Sequence, residues 1–476
     1  MNNKRGSILV VTLGFILVFT MLGLGSMYFS TVQNEAAEKR TASTKAFWLS
    51  EAGLQKALWK FKNNNYAGFF QYDISVGGPC NPSTPCNSFT NCGSKEKCFK
   101  SPSDDSLSTY GDYDIVMDNF NSSVTSTGSY PSRTVSNPTQ RTVMLDSGAT
   151  YKYAFFAKKN MGTSASDEPG VDNNSCTDGY AWPSAPTTPG SCGGGNTDKT
   201  GRIGTLNVDP TTGQVVTGTA IKIGNGANIY GSVSTGPGGT VSNSGTIWVL
   251  PTTNTNKGSL KSVDVSSEQP TLWNMPATGV TINNTMTLGA SGVTCTNGGT
   301  YISGTCYYKY TNINLGTNKT LTFQGPVMIY LISNTTAVQV SSNFGFDLNS
   351  SAIVKLYTAG KVILTNNGRV NNQNDKKPVN FEIRSIYQSP LSTKSTADVG
   401  VQVANNGDFY GTVYAPNTNL VVGKNGGGTT FFGAMVGGTI HVNNNTPQHF
   451  EKGLAGKITD STRIWSECSN KDCSGT

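Results

Sequence analysis

The chain opens with one long apolar run and continues as short apolar runs separated by polar turns. No charged residue lies between Arg5 and Glu35. A helix over Ile8–Phe29 would be about 33 Å long at about 1.5 Å per residue, enough to cross the hydrocarbon layer of a membrane. Lys4 and Arg5 precede the run and predict that the short leader stays on the cytoplasmic side. The pattern therefore predicts a retained membrane-spanning helix.

The helical pattern continues past the apolar run. Glu35 and Lys39 are four residues apart, the spacing of an ion pair on one helix face. Further apolar residues recur at helical spacing and form a stripe: Phe47, Leu54, Leu58 and Phe61. We expect one transmembrane and assembly helix over residues 7–62, with residues 1–6 as a leader peptide.

The next part of the chain predicts a small sheet. Segments 110–118, 141–145 and 151–157 alternate or cluster β-formers between turn residues. We expect them to pack on the apolar stripe of the helix, so that residues 63–162 form a small β head with a Cys-rich insertion. Residues 163–200 are rich in Gly and Pro and predict an exposed, disulfide-bearing loop.

Residues 201–455 carry short apolar runs between Asn/Gly turns, with no helix interrupting them. The segment around Gly411 is echoed around Gly433, 22 residues later in the chain. Such an offset suits one coil of a parallel β-solenoid, in which apolar positions stack from coil to coil. A β-sandwich is the alternative, because short strands and turns give a similar pattern. The predicted fold class is mainly β with one long N-terminal α-helix, and residues 456–476 form a C-terminal tail.

Composition and net charge limit the classes of function that the sequence predicts. Charged residues make up 13% of the chain, which also contains 55 glycines, as expected for a β-rich, turn-rich body. The net charge of +7 is not concentrated in a Lys/Arg-rich block. The sequence therefore does not predict a nucleic-acid-binding surface.

The ten cysteines form an even set, and most have a near neighbour in sequence. We expect local, loop-closing disulfides in an oxidising compartment, with the connectivity left open among the following residues: Cys80, Cys86, Cys92, Cys98, Cys176, Cys192, Cys295, Cys306, Cys468 and Cys473. A zinc site on the first four is the alternative. Their even spacing lacks the C-x-x-C pairs typical of such sites, so no metal site is predicted there.

Asp167, Asp172 and Asp178 lie within twelve residues of one another and are weak calcium candidates. Their spacing matches no calcium-loop motif, so a solvated polar loop is the favoured interpretation.

The sequence offers little for catalysis. It has two histidines, His441 in an alternating segment and His449 in what reads as a polar turn, and neither is spaced with a partner acid or nucleophile. Carboxylates, Glu382 among them, are scattered in the solenoid region without the pairing that glycan cleavage requires. We predict that the chain is not an enzyme and needs no cofactor. A membrane-anchored polysaccharide-active solenoid enzyme is the alternative.

The amino terminus resembles that of type IV pilins, and more closely that of PilX-type minor pilins. Lys4-Arg5-Gly6 before the apolar run and the segment 46–54, AFWLSEAGL with Glu51, carry the resemblance. It implies that a prepilin peptidase cuts between Gly6 and Ser7 and that Ser7 is then methylated. It also implies an assembly helix that includes Glu35 and Glu51, and partners among other pilins and the pilus assembly machinery.

One position departs from the pilin pattern. Most pilins carry a glutamate five residues into the mature chain, where it neutralises the amino terminus of a neighbouring subunit, but this chain has Val11. Burying an ammonium without a carboxylate is costly. We therefore expect a subunit at the pilus tip, where there is no subunit ahead of it to pair with.

The later part of the chain resembles the β-solenoid domain fused behind PilX-type amino termini in bacterial surface proteins. The resemblance lies in segments 324–330, 409–416, 432–436 and 449–454. It implies a large minor pilin that resides in the inner membrane before assembly and then on the pilus or cell surface. There the solenoid would contact host or surface glycans or proteins. A type II secretion pseudopilin is a further alternative.

Overall fold

The structure is a computed structural model. It describes residues 5–63, 90–93, 96–100, 111–118, 123–130, 139–146, 151–160, 171–181, 191–194, 197–208, 214–249, 256, 260, 262–277, 279–340, 342–365, 367–371, 376–391, 398–404, 407–423, 428–454 and 464–467. The chain divides into two compact units, residues 1–148 with 460–476, and residues 149–459.

The first unit is built on one long helix, α1 (Arg5–Asn63), as the sequence predicts. The helix is followed by strands β1 (Thr90–Gly93), β2 (Glu96–Lys100), β3 (Asp112–Asp118), β4 (Ser123–Tyr130) and β5 (Thr139–Asp146). Each strand pairs antiparallel with the next. Predicted segments 110–118 and 141–145 correspond to β3 and β5, so the small sheet of the head is confirmed.

The second unit begins with short strands and two short helices. They are β6 (Phe155–Ala157), β7 (Cys176–Tyr180), β8 (Thr197–Asp198), β9 (Ile203–Thr205), β10 (Gly218–Ile223), β11 (Asn228–Ile229), β12 (Val233–Ser234), β13 (Gly239–Asn243) and β14 (Thr246–Ile247), then α2 (Val265–Glu268) and α3 (Pro270–Asn274). The expectation that no helix interrupts this region is therefore wrong. In α2 the side chain of Asp264 caps the first turn by accepting a hydrogen bond from the Ser266 backbone N–H.

The unit continues with a longer series of strands. They are β15 (Thr281–Ile282), β16 (Met286–Ser291), β17 (Thr294–Cys295), β18 (Thr300–Ile302), β19 (Thr305–Tyr310), β20 (Asn312–Leu315), β21 (Thr320–Gln324), β22 (Pro326–Leu331), β23 (Thr336–Val340), β24 (Gly345–Leu348), β25 (Ile353–Thr358), β26 (Lys361–Thr365), β27 (Arg369–Val370), β28 (Phe381–Ser385), β29 (Val399–Ala404), β30 (Asp408–Val422), β31 (Thr430–Val442) and β32 (Pro447–Glu451).

These strands form a parallel β-solenoid with three faces. One face contains β19, β22, β25 and β28, each pairing parallel with the next, and continues into β30. A second contains β16, β21, β24 and β27, and a third β20, β23, β26 and β29. Gly411 lies opposite Gly433 in the parallel pair β30–β31, so the echoed segments are adjacent coils.

The coils do not stack in chain order. Strand β6 pairs parallel with β31, and β7 pairs parallel with β32, so the first strands of the unit follow the last ones. Strands β9 and β11 stack on β6 and β7 in turn. The chain then runs back along the solenoid from β12 to β19. At β12, Asn256 donates a hydrogen bond to the Ser234 carbonyl, and at β19, Lys309 donates one to the Trp273 carbonyl. Winding begins again at β15 and runs forward to β32.

Inward-facing positions fill the core of the solenoid. Strand β21 shows the alternation, with Leu321 and Phe323 buried between partly exposed neighbours. A stack of phenylalanines continues through successive coils by edge and face contacts: Phe323, Phe346, Phe381, Phe409 and Phe431. Period-two burial of this kind is what a half-buried parallel strand requires.

One end of the solenoid is closed by antiparallel strands. Strands β18 and β19 form one antiparallel hairpin, and β16 and β17 form another. The two hairpins cover an edge that would otherwise present unpaired backbone groups. The disulfide Cys295–Cys306 joins the two hairpins, with the Cα atoms 5.7 Å apart. Tyr308 is buried behind it and donates a hydrogen bond to the Thr296 carbonyl.

The last described strand returns to the first unit. Strand β33 (Ile464–Glu467) pairs antiparallel with β5 and becomes the sixth strand of the head sheet. The solenoid is therefore inserted between two neighbouring strands of the head. Segment 151–157, expected in the head, lies in the solenoid unit. Residues 163–200, expected to be a loop, contribute solenoid strands β7 and β8. The expected tail 456–476 contributes a head strand.

Candidate functional site

The apolar helix is the first candidate, because its first half contacts nothing else in the described structure. Val11 is 55% exposed and Phe19 68% exposed. Segment Val11–Gln55 contains a stretch with mean hydropathy 1.8 that is long and apolar enough to cross a membrane, judged by length and composition. A surface so apolar is stable only against lipid or other apolar helices.

Hydroxyl side chains within this stretch bond to the helix's own backbone. Thr20 donates to the Ile16 carbonyl at 2.7 Å, and Thr31 to the Met27 carbonyl at 2.9 Å. Ser26 donates to the Gly23 carbonyl at 2.9 Å. Such bonds satisfy a hydroxyl where no water is available, so these residues do not prevent the helix from lying in hydrocarbon.

The second half of the helix packs on the head sheet. Ala46, Leu49, Ser50, Gly53 and Leu54 are buried, at intervals of three and four residues. The predicted stripe is thus partly wrong: Leu54 belongs to it, Phe47 is only half-buried, and the side chains of Leu58 and Phe61 lie outside the described residues. Glu51 is half-buried at the edge of this contact, and Glu35 is exposed.

Glycines allow the helix to approach the sheet closely. A Cβ at Gly128 of β4 would lie 2.5 Å from the Ser50 backbone nitrogen and would meet the Ala46 carbonyl oxygen even closer. A Cβ at Gly53 of the helix would lie 2.5 Å from Ser126 Oγ and 2.8 Å from Tyr113 Cδ2. The Glu-Ala-Gly part of the sequence motif therefore has a packing reason, since a side chain at Gly53 would collide with Ser126 and Tyr113.

Polar contacts at the edge of the sheet add to this packing. Lys45 Nζ donates to the Tyr130 hydroxyl at 2.9 Å and lies 4.4 Å from the centroid of that ring. Arg141 Nε donates to Ser43 Oγ at 2.7 Å. These residues extend the helix–sheet contact one turn toward the amino terminus.

The predicted processing residues lie at the start of the helix. Gly6 and Ser7 fall in the first turn of α1, and their side chains are outside the described residues. Val11 presents an apolar side chain on the exposed helix. Position 11, where the pilin pattern has glutamate, is therefore apolar in this chain.

The solenoid contains a largely buried ion network that sequence reasoning missed. Arg384 Nη1 lies 2.7 Å from Glu268 Oε2, and its Nε lies 3.0 Å from Glu382 Oε1. The Tyr151 hydroxyl donates to the same Glu382 oxygen at 2.9 Å. The Arg384 guanidinium lies 5.5 Å from the centroid of the Tyr414 ring. These contacts tie α2, which carries Glu268, to the flank of the solenoid.

The electrostatics of this network keep its carboxylate ionised. Burial raises the pKa of Glu382, but the charge of Arg384 and the hydrogen bond from Tyr151 outweigh it, so the pKa lies below its usual value. Burial, and the neighbouring Glu382, raise the pKa of Tyr151 well above its usual value. A carboxylate held ionised in this way is a poor general acid, and the geometry fits a structural brace.

Both histidines pair with aspartates of the weak calcium set. His441 Nε2 lies 3.3 Å from Asp172 Oδ2. His449 Nδ1 lies 2.5 Å from Asp178 Oδ1, and both of these side chains are fully buried. The two aspartates are therefore separated, each facing a different histidine, and Asp167 lies outside the described residues. The expectation that His449 lies in a polar turn is wrong, because it lies in strand β32.

Disulfides join two of the sequence-adjacent cysteine pairs in the solenoid. Cys176 is bonded to Cys192, and Cys295 to Cys306. Cys92 and Cys98 lie in β1 and β2, but their side chains are outside the described residues. The other predicted cysteines lie outside the described residues altogether: Cys80, Cys86, Cys468 and Cys473.

Sequence reasoning missed Glu268, Arg384 and the aspartate–histidine pairs. Glu382 and Arg384 are two residues apart on one strand, a spacing that places both side chains on the same face and so indicated an ion pair. No local signal identifies Asp178 as the partner of His449, because 271 residues separate them.

Comparison with known proteins gives limited further information. Residues 253–457 match a family described as a domain of unknown function, DUF7305. This match spans the returning segment and strands β15 to β32, and omits the coils from β6 to β14. No curated protein sequence matches the chain.

One solved structure similar to the chain is the competence-associated pilin ComZ from Thermus thermophilus. It has 11% sequence identity and a TM-score of 0.27, over 90% of this chain and 96% of that one. A TM-score of this size does not establish a common fold.

Proposed function

We propose that the chain is a large minor pilin of a type IV pilus, positioned at the pilus tip, and that its solenoid contacts a surface or ligand. The observation that carries the proposal is helix α1. The side chains of residues 11–32 are exposed, and the second half of the helix is packed on an antiparallel sheet through Gly53 and Gly128. A helix of this kind can sit in the inner membrane before assembly and among the helices of other pilins afterwards.

Processing by a prepilin peptidase between Gly6 and Ser7 is part of the proposal. Lys4 and Arg5 precede these residues, and the apolar helix follows them. Cleavage there would leave Ser7 as the amino terminus, available for methylation. The partners we propose are therefore the peptidase, the pilus assembly machinery and other pilins.

Val11 supports a tip position. An amino-terminal ammonium inside an apolar bundle of helices needs a carboxylate nearby, and Val11 supplies only a branched apolar side chain. A subunit above this one in the shaft would leave its own ammonium unpaired. A subunit at the tip has no such neighbour, so the missing carboxylate is tolerated there.

The solenoid supports an adhesive role through its polar outer face. Asn314 lies opposite Gln339 on adjacent coils, and Ile363 and then Gln402 occupy the matching positions of the next two coils. Asn314 and Gln339 are exposed. Amides both donate and accept hydrogen bonds, so this exposed pair on a rigid solenoid suits contact with glycans or with a protein surface.

The test is immunogold electron microscopy of native filaments, with antibody against the solenoid. We expect gold only at filament ends. Gold spaced along the shaft would contradict the tip position, and filaments without gold would contradict the minor-pilin proposal itself.

Two variants sharpen this test. Gly6→Val adds a branched side chain at the cleavage site and should leave residues 1–6 attached, as measured by mass spectrometry of the amino-terminal peptide, with no gold on filaments. Val11→Glu should not increase the number of labelled filaments. Labelling along the shaft by Val11→Glu but not by the unaltered chain would show that Val11 restricts the subunit to the tip.

A further inference from the structure

Three metal-binding side chains converge at the joint between the last and first coils of the solenoid. Asp178 of β7 lies opposite His449 of β32, and Cys192 lies beside them in the segment that follows β7. One ligand atom from each side chain lies within 4.8 Å of the other two. Asp178 and His449 are fully buried, and Cys192 is half-buried.

The surroundings hold these side chains in place. The Gly193 backbone N–H donates to Asp178 Oδ2 at 2.8 Å, which leaves Oδ1 facing His449. The Phe432 ring stacks on the imidazole of His449, with 4.9 Å between the ring centroids. Supporting contacts of this kind fix the orientation of metal ligands in known sites.

In the structure Cys192 is not free to bind a metal, because it is bonded to Cys176. The disulfide fastens residues 191–194 to the start of β7. Reduction would release the Cys192 thiol next to a carboxylate and an imidazole. The donors would then be one sulfur, one nitrogen and one oxygen, a mixture that suits zinc better than calcium or magnesium.

We propose that Asp178, Cys192 and His449 form a zinc site when the Cys176–Cys192 disulfide is reduced. The disulfide and the zinc ion are then alternative links between residues 191–194 and the solenoid. Three protein ligands would leave a fourth position of the tetrahedral ion for water. The charges also balance, because Zn²⁺ with one thiolate and one carboxylate is neutral, as a buried site requires.

The chemistry of the switch is a thiol–disulfide exchange followed by metal binding. A dithiol reductant gives two electrons to the S–S bond, becomes a disulfide itself, and leaves two thiols on Cys176 and Cys192. Zinc then binds the Cys192 sulfur as thiolate, and the thiol proton passes to solvent. His449 binds through Nδ1 in its neutral form, and any proton on that atom moves to Nε2 or to solvent.

The test uses the full chain in detergent with Cys176→Ser, which leaves Cys192 as a free thiol without any reductant. Titration with Co²⁺ as a spectroscopic substitute for Zn²⁺ should give one bound ion per chain and an absorption band from thiolate-to-cobalt charge transfer, which Zn²⁺ then abolishes. The oxidised unaltered chain should show neither, and the same chain reduced with a phosphine should show both.

The matched controls lose a disulfide without creating the site. Cys192→Ser removes the same disulfide but frees Cys176, and Cys295→Ser removes the other disulfide and frees Cys306. Neither should give the band. His449→Gln added to Cys176→Ser should weaken binding by roughly tenfold or more, because even loss of a supporting contact around a metal ligand has about that effect.

Several outcomes overturn the proposal. They are equal binding by the Cys176→Ser and Cys192→Ser chains, binding unaffected by His449→Gln, or no binding by either the Cys176→Ser chain or the reduced unaltered chain. Near-ultraviolet circular dichroism on each sample reports whether the solenoid is folded. The reduced unaltered chain supplies the second measurement if Cys176→Ser does not fold.

Discussion

Gly128→Ala should separate helix α1 from the head sheet. The added Cβ would lie 2.5 Å from the Ser50 nitrogen and 2.9 Å from Leu49 Cβ, and closer still to the Ala46 carbonyl oxygen. Unstrained contacts between non-bonded heavy atoms are about 3.5 Å, so the helix must retreat by roughly 1 Å or more. The two closest atoms belong to the helix backbone and cannot rotate away.

The loss of stability follows from the helix–sheet contacts that this retreat loosens. Overpacking of a well-filled layer costs about 1–3 kcal/mol, and the retreat also loosens the buried contacts of Ala46 and Leu49. We expect a loss of about 3 kcal/mol in the local stability of the head. Because each 1.4 kcal/mol is about a factor of ten, amide exchange in β4 and β5 should speed up by roughly a hundredfold.

Gly53→Ala provides a graded comparison at the same contact. Its new Cβ would meet Ser126 Oγ and the Tyr113 ring, which are side-chain atoms that can shift. We expect about 1–2 kcal/mol, clearly less than for Gly128→Ala. Gly316→Ala in the solenoid, where the nearest atom is Lys319 Cγ at 3.9 Å, should change stability by no more than about 0.5 kcal/mol.

The assay is hydrogen exchange with mass spectrometry on the full chain in detergent, following peptides that cover β4 and β5. Solenoid peptides in the same sample serve as an internal reference, since they should exchange as in the unaltered chain. Unchanged exchange in β4 for Gly128→Ala, or a larger effect for Gly53→Ala than for Gly128→Ala, would refute the close packing of helix on sheet.

Three further predictions concern the solenoid and are measured by chemical or thermal denaturation. Glu268→Gln should cost about 2–3 kcal/mol, because Arg384, whose side chain is only 15% exposed, loses a charged partner; a smaller loss than for the more exposed pair below would contradict this. Asp347→Asn should lower the free energy of unfolding by less than about 1 kcal/mol, because Arg369, its partner at 2.9 Å, has a side chain 38% exposed. A larger loss would contradict the expected difference from Glu268→Gln. Burial raises the pKa of Tyr414 to about 12. The contribution of Tyr414 to the free energy of unfolding is therefore fully present below about pH 10 and is lost as pH rises towards 12. Tyr414→Phe should lessen the fall in melting temperature over that range, and an identical fall would exclude this residue as a cause.

Parts of the candidate sites could be predicted because their signals are local. The apolar run indicated helix α1, and the apolar stripe that includes Leu54 indicated its contact with the sheet, where Leu54 is buried. The stripe was partly misplaced because the small residues Ala46 and Ser50 carry the contact. Large apolar side chains draw attention in a sequence, whereas close packing of backbones selects small ones.

The long helix, the alternation of the strands and the coil offset shown by Gly411 and Gly433 could be read from the sequence, since each depends on residues within about one coil of each other. The stacking of β6 and β7 on β31 and β32, and the closure of the head sheet by β33, depend on pairings between distant strands. The sequence of a strand does not identify its distant neighbours, because any apolar coil edge can pair with another of similar register. The pairing of Asp178 with His449 follows from that stacking order, and for this reason it could not be found from either residue's local sequence.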